Sequence, residues 1–98
     1  MKFINKQAAN IVLTADRNIV YEANTDAQIR ALTVHNPTDA NIDITLSIGA
    51  QQYIAKTVTA GATEVLSQMF NQQIQKAEQL LMSGEGANVL ITVVEITE

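Results

Sequence analysis

The side chains that could do chemistry are few and scattered. His35 is the only histidine among 98 residues, and there is no cysteine. A general base or a nucleophile–base pair needs partners within hydrogen-bond reach. His35 instead opens the polar sequence His35-Asn36-Pro37-Thr38-Asp39, which reads as a partly exposed turn. Asp39 and Asp43 could share a cation, but the alternating oxygen ligands and the glycine of a calcium loop are missing around them. Nucleophile elbows, phosphate-cradling glycine loops and paired-histidine motifs are absent from the sequence. Gly84-Glu85-Gly86 reads as a hairpin turn, not a phosphate loop. The expectation is a protein that is not an enzyme, with no cofactor and no metal.

Charge narrows the partners. Ten carboxylates against six basic residues give a net charge of −4, and Lys2, Lys6, Arg17, Arg30, Lys56 and Lys76 form no cluster. A nucleic-acid surface needs clustered Lys and Arg, so no nucleic-acid partner is expected. No stretch approaches membrane-spanning length, and Lys2 is not followed by the apolar run of a secretory signal. Without cysteine, disulfides and thiolate chemistry are excluded, which suits a protein made in the cytoplasm. The apolar fraction of 47 % is enough for one globular domain. Aromatic residues contribute only 4 %, so the core is expected to be aliphatic, with association adding to stability.

The elements that must hold these residues are strands. In Ala40 to Ile48, the apolar Ile42, Ile44, Leu46 and Ile48 alternate with Asn41, Asp43, Thr45 and Ser47. Strand side chains alternate between faces, so one face of this segment is aliphatic and the other polar. Further strands are expected at Asn10 to Thr14 and Ile19 to Glu22, joined as a hairpin, and at Gln28 to His35. In the last of these, Leu32 and Val34 share one face and Ile29 and Ala31 the other, as in an inner strand or one meeting a second subunit. Tyr53 to Thr59 and Asn88 to Ile96 complete the set, the final one central in its sheet or against a partner. Residues 1–9 are expected as an N-terminal arm, extended or frayed, ahead of one domain at 10–98.

Thr63 to Met82 supports two readings. Leu66, Phe70, Ile74, Ala77 and Leu81 recur at helical steps among good helix formers, with Gly84 as a terminator. The alternative is a short strand at Thr63 to Leu66, an irregular or single-turn piece near Met69 to Gln73, and a strand at Gln79 to Ser83. Local propensity favours the helix, and tertiary context can override it.

The order of segments resembles a family of small structural proteins of tailed-bacteriophage virions. Val20-Tyr21-Glu22-Ala23-Asn24 is similar to its link after the opening strand. Leu32 to Thr38 is similar to its strand ending in a polar turn, and Ile42 to Ile48 to its alternating strand. Ala60-Gly61-Ala62-Thr63 and Val89 to Ile96 are similar to its later turn and closing strand. The likeness runs from Asn10 onward and departs at Lys76-Ala77-Glu78-Gln79-Leu80, where the family has a Gly-Asp turn.

The resemblance implies an all-β fold, a small antiparallel β-sandwich that is Ig-like or jelly-roll-like, with or without a short helix near residues 67–76. It tips Gln79 to Ser83 toward strand. It also implies a non-enzymatic virion protein that forms a symmetric homo-oligomer at the head–tail neck, collar or tail. Its partners would be copies of itself and other virion proteins: the connector, the tail or the major capsid protein. A capsid decoration protein is the runner-up. A carbohydrate- or receptor-binding tail-fibre module is the third reading, which needs an exposed aromatic platform from Tyr21, Tyr53 or Phe70. Partner contacts are expected at Phe3 and Ile4 in the arm, and at His35, Asn36, Pro37 and Asp39 in the turn.

Overall fold

The chain is one long hairpin wound into two sheets. A computed structural model describes residues 2–97. Met1 of the expected arm and Glu98 of the expected domain lie outside the described residues. The tip of the hairpin joins β4 (Ile42–Ile48) to β5 (Gln51–Val58) through Gly49-Ala50. Gly49 has φ +62°, the left-handed geometry that fits a two-residue turn to the twist of its strands.

Outward from the tip, each earlier strand pairs antiparallel with a later one. β3 (Ala27–His35) pairs with β6 (Thr63–Val65) and β7 (Gln73–Ile74), two pieces of one broken edge strand. β2 (Asn18–Glu22) pairs with β8 (Gln79–Ser83), and β1 (Lys2–Val12) with β9 (Asn88–Thr97). Winding places these pairs in two sheets. Sheet A has the order β1-β9-β3-β6, with β7 also on β3, and sheet B the order β2-β8-β4-β5. Reverse-order pairing split over two packed sheets is the jelly-roll form of the sandwich.

Period-two patterning fills the space between the sheets. Ile42, Ile44 and Leu46 of β4 face Leu32 and Val34 of β3 and Val89, Ile91 and Val93 of β9 in one buried cluster. Each such aliphatic side chain contributes on the order of 1.5–3 kcal/mol by leaving water. A bulge alters the phase in β3. The register shifts between Ile29 and Ala31, so Ile29 joins Leu32 and Val34 in the core instead of facing away from them. β3 and β9 are inner strands, as their two-faced apolar character implies.

Two expectations are revised, and two alternatives left open by the sequence are decided. Asn10 to Glu22 is no hairpin, because β1 and β2 lie in different sheets and residues 13–17 cross between them. Gly84-Glu85-Gly86 is likewise a crossing, from β8 in sheet B to β9 in sheet A. The two crossings are bonded together: Leu13 N–H donates to the Ala87 carbonyl at 2.8 Å, and Gly84 N–H donates to the Thr14 carbonyl at 3.1 Å. A Cβ on Gly84 would stand 2.6 Å from Ile44 Cγ2, so the crossing needs glycine there.

Of the two readings of residues 63–82 the strand reading holds: no long helix forms, and the segment is β6, a single 3-10 turn at Ser67–Met69, β7 and β8. Asn71 at φ +66° and Ala77 at φ +76° are left-handed and interrupt any helix. Leu66, Ile74 and Leu80 each plug the core separately, while Ala77 of the supposed stripe is exposed. Finally, residues 2–9 are not frayed: β1 runs along β9 from Lys2, opposite Thr97, to Val12, opposite Asn88.

Candidate functional site

The six residues expected at partner contacts separate into two groups at opposite ends of β9. Phe3 pairs across from Ile96, and His35 across from Asn88. Eight residue steps along the strand separate those positions, roughly 27 Å. Phe3 and Ile4 are exposed by 66 % and 45 %. Pro37 and Asp39 are exposed on the turn, and His35 is half-buried with Nδ1 hydrogen-bonded to Thr63 Oγ1 at 2.8 Å.

Asn36 is a correction. It is fully buried, so it cannot be a surface contact. Its amide donates to the carbonyls of Ala40 at 2.7 Å and Val58 at 2.9 Å, and its Oδ1 accepts from the N–H and hydroxyl of Thr38. A short polar side chain with every group satisfied is what holds a turn on a core. Asn36 fixes the turn, and Pro37 and Asp39 are what the turn displays.

The outward face of sheet A emerges only from the pairing register. Val89, Ile91 and Val93 are fully buried, so Leu90, Thr92, Val94 and Ile96 project the other way. Their partners on β1 are Asn10, Gln7, Asn5 and Phe3, and Val12 lies one pair further on. Their partners on β3 include Gln28, Ala31 and Thr33, and β6 adds Val65 opposite Thr33. This face carries no carboxylate among the described residues. Lys2, Lys6, Glu64 and Glu95, the other charges in these strands, occupy the inward parity at the rims. Arg30, exposed at the β3 bulge, is the exception. Phe3, Val12, Val65 and Leu90 are 66 %, 61 %, 53 % and 41 % exposed. Four large apolar groups on a sheet face without carboxylates form the kind of surface that marks an interaction site.

The two open edges of the sandwich are built differently. Between β1 and β2, the Tyr21 hydroxyl donates to Glu95 Oε2 at 2.8 Å, and Lys6 Nζ lies 3.7 Å from the same oxygen. Burial, then the hydrogen bond to Glu95 and its charge, push the Tyr21 phenol well above the ordinary tyrosine range. Between β5 and β6, Lys56 and Glu64 bridge the sheets at 3.1 Å.

Further along that edge a cleft of about 350 Å³ opens between β5 and the segment leading into β8. Tyr53 stands at its mouth, Met69 and Ile54 form its apolar floor, and Gln68, Gln73 and Glu78 supply polar groups. Of the three rings considered for an aromatic platform, Tyr21 is buried and Phe70 packs against the core, leaving Tyr53 alone exposed. The five glutamines between Gln68 and Gln79 were the visible signal for this cleft, hidden by the helical spacing around them.

No group of three or more His, Asp or Glu residues close enough to hold a metal occurs among the described residues. Asp43, considered above as half of a cation site, accepts a hydrogen bond from Thr57 Oγ1 at 2.6 Å. No described helix is long and apolar enough to cross a membrane. No family model, no curated protein and no solved structure matches this chain.

Proposed function

We propose that this chain is a non-enzymatic structural protein of a tailed-bacteriophage virion, assembling by symmetric self-association at the head–tail neck or tail. The virion assignment rests on the resemblance of the segments from Asn10 onward. The mode of action rests on one observation, the carboxylate-free, partly apolar outward face of sheet A. A chain of net charge −4 repels its copies, and the repulsion is least where two faces without carboxylates meet. The occupant of this face is therefore a second copy.

The area is sufficient. Four strands at ~4.8 Å spacing and ten residues at ~3.4 Å rise give roughly 650 Å² per copy, or roughly 1,300 Å² in total. That exceeds the ~1,000 Å² expected of a specific interface. Phe3 and His35, at the two ends of this face, become contact residues, while Ile4 points to the other side of the ribbon.

Copy number per particle tests the assignment, measured by quantitative mass spectrometry of purified virions against the major capsid protein. A small, ring-sized number supports the neck or tail position. A number comparable to the capsid protein makes the chain a decoration protein instead. Its absence from particles removes the virion reading and leaves the self-associating face to be tested in solution.

A further inference from the structure

The cleft beside Tyr53 combines three kinds of group: an exposed ring, side-chain amides and a carboxylate. Tyr53 occupies the extra position of a β5 bulge, where the register shifts between Leu46–Ile54 and Ser47–Gln52, and its ring is 58 % exposed. Gln68, Gln72 and Gln73 line the opposite wall, and only the Gln72 amide is engaged, donating to the Gln73 carbonyl at 3.2 Å. Glu78 is the one charged lining residue. Its Oε1 accepts from the Gln75 N–H at 2.8 Å, which aims the carboxylate and leaves Oε2 for another donor.

The wall is held in place. Ala77, a non-glycine residue at φ +76°, is kept there by its N–H donating to the Ala23 carbonyl at 2.8 Å. The Lys76 N–H donates to Asp26 Oδ1 at 3.0 Å beside it.

We propose that this cleft binds a neutral saccharide of one or two rings. A pyranose presents a C–H face, which an exposed aromatic ring covers, and a rim of paired hydroxyls. Each hydroxyl both donates and accepts; an amide matches it with a donor and an acceptor, and a carboxylate with two acceptors. The volume lies at the low end of the ~300–1,000 Å³ range of small-molecule sites, as a short saccharide requires. Glu78, with no cation among the lining residues, disfavours sugars that carry a carboxylate. This proposal stands apart from the virion reading, because it uses the edge of the sandwich, where Gln73, in register with Gln28, is the point at which the cleft meets the face of sheet A.

The test is a nuclear magnetic resonance titration of the full chain. The probes are methyl glycosides of glucose, galactose, mannose and N-acetylglucosamine, then lactose and maltose, with sialyllactose as the acidic control. At least one neutral sugar should give saturable millimolar binding with shifts at Tyr53, Gln72 and Gln73. Tyr53→Ala should weaken it tenfold or more, Tyr53→Phe should retain it, and Gln73→Ala should weaken it with the fold unchanged. Glu78→Gln, which replaces one carboxylate acceptor by an amide donor, should weaken neutral binding and narrow the discrimination against sialyllactose. Absence of saturable shifts with every neutral sugar, equal affinity in Tyr53→Ala, or a preference for sialyllactose would overturn the proposal.

Discussion

The two sheets share a core and differ on their outer faces. On sheet B the outward side chains satisfy one another across strands: Thr57 with Asp43, Thr45 with Ser83, Gln79 with Glu22. Away from the exposed Ile19, which pairs with Leu81 at the β2 edge, such a face is finished, because its hydrogen-bonding groups are paired with each other or open to water. On sheet A the outward side chains are amides, threonines and exposed aliphatics, and the rows hold Leu90 beside Thr33 and Val65. The contrast teaches that a sandwich can solve its own folding with inward residues and still leave one outer surface chemically incomplete. That surface is where a partner gains most by binding.

Adjacent residues of β9 give the sharpest way to break this comparison. Ile91 is fully buried and Leu90 is 41 % exposed on the opposite face. Ile91→Ala should cost about 2–5 kcal/mol in urea unfolding of the dilute monomer, and Leu90→Ala less than about 1 kcal/mol. Equal costs would mean that both faces are core and that the outward surface is not free.

Charge placed on each outer face tests the interface next. Leu90→Lys should weaken self-association at least tenfold by sedimentation velocity, about 1.4 kcal/mol or more. Thr57→Lys on sheet B should leave it unchanged. If both substitutions act alike, the two faces are equivalent and the proposed interface is wrong.

The edge at Tyr21 provides a pH test. The folded phenol titrates above the ordinary tyrosine value, so the unfolded chain loses its proton first as pH rises. This contribution is fully present below pH ~10 and is lost as pH climbs from there toward the folded value. Unfolding of the wild type between pH 8 and 11 should therefore lose more stability than Tyr21→Phe does. Parallel pH profiles would show that Tyr21 reaches solvent. The phenylalanine variant itself should cost about 1 kcal/mol at neutral pH, the value of one buried hydrogen bond.

The smallest effect should come from the finished face. Asp43→Ala removes the partner of an exposed Thr57 hydroxyl, which water can replace. Chemical denaturation should register about 0.5 kcal/mol or less. A loss several times larger would place sheet B's polar ladder among the elements that hold the fold together.

Much of the sandwich was legible in the chain. The alternation in Ile42 to Ile48 and the two-faced apolar character of β3 and β9 specify strands and their depth, because side-chain direction in a strand follows position directly. The polar turn after His35 was legible too. Asn36 was misread because a residue suited to an exposed turn is equally suited to pin that turn from inside, and only burial separates the roles.

Residues 63–82 show where local signals stop. Leu66, Phe70 and Ile74 have helical spacing, yet each is drawn to a different part of the cavity between the sheets, and burying Leu66 and Ile74 outweighs helix propensity of a few tenths of a kcal/mol per residue. By itself the sequence determined that the protein is built of strands around an aliphatic core, with no cluster of reactive groups along the chain. The tertiary structure decided which strands pair, where the bulge at Arg30 turns Ile29 inward, and which outward residues from distant segments share the carboxylate-free face. Those are long-range matters of register and winding, and a two-residue alternation carries no record of which strand will lie alongside.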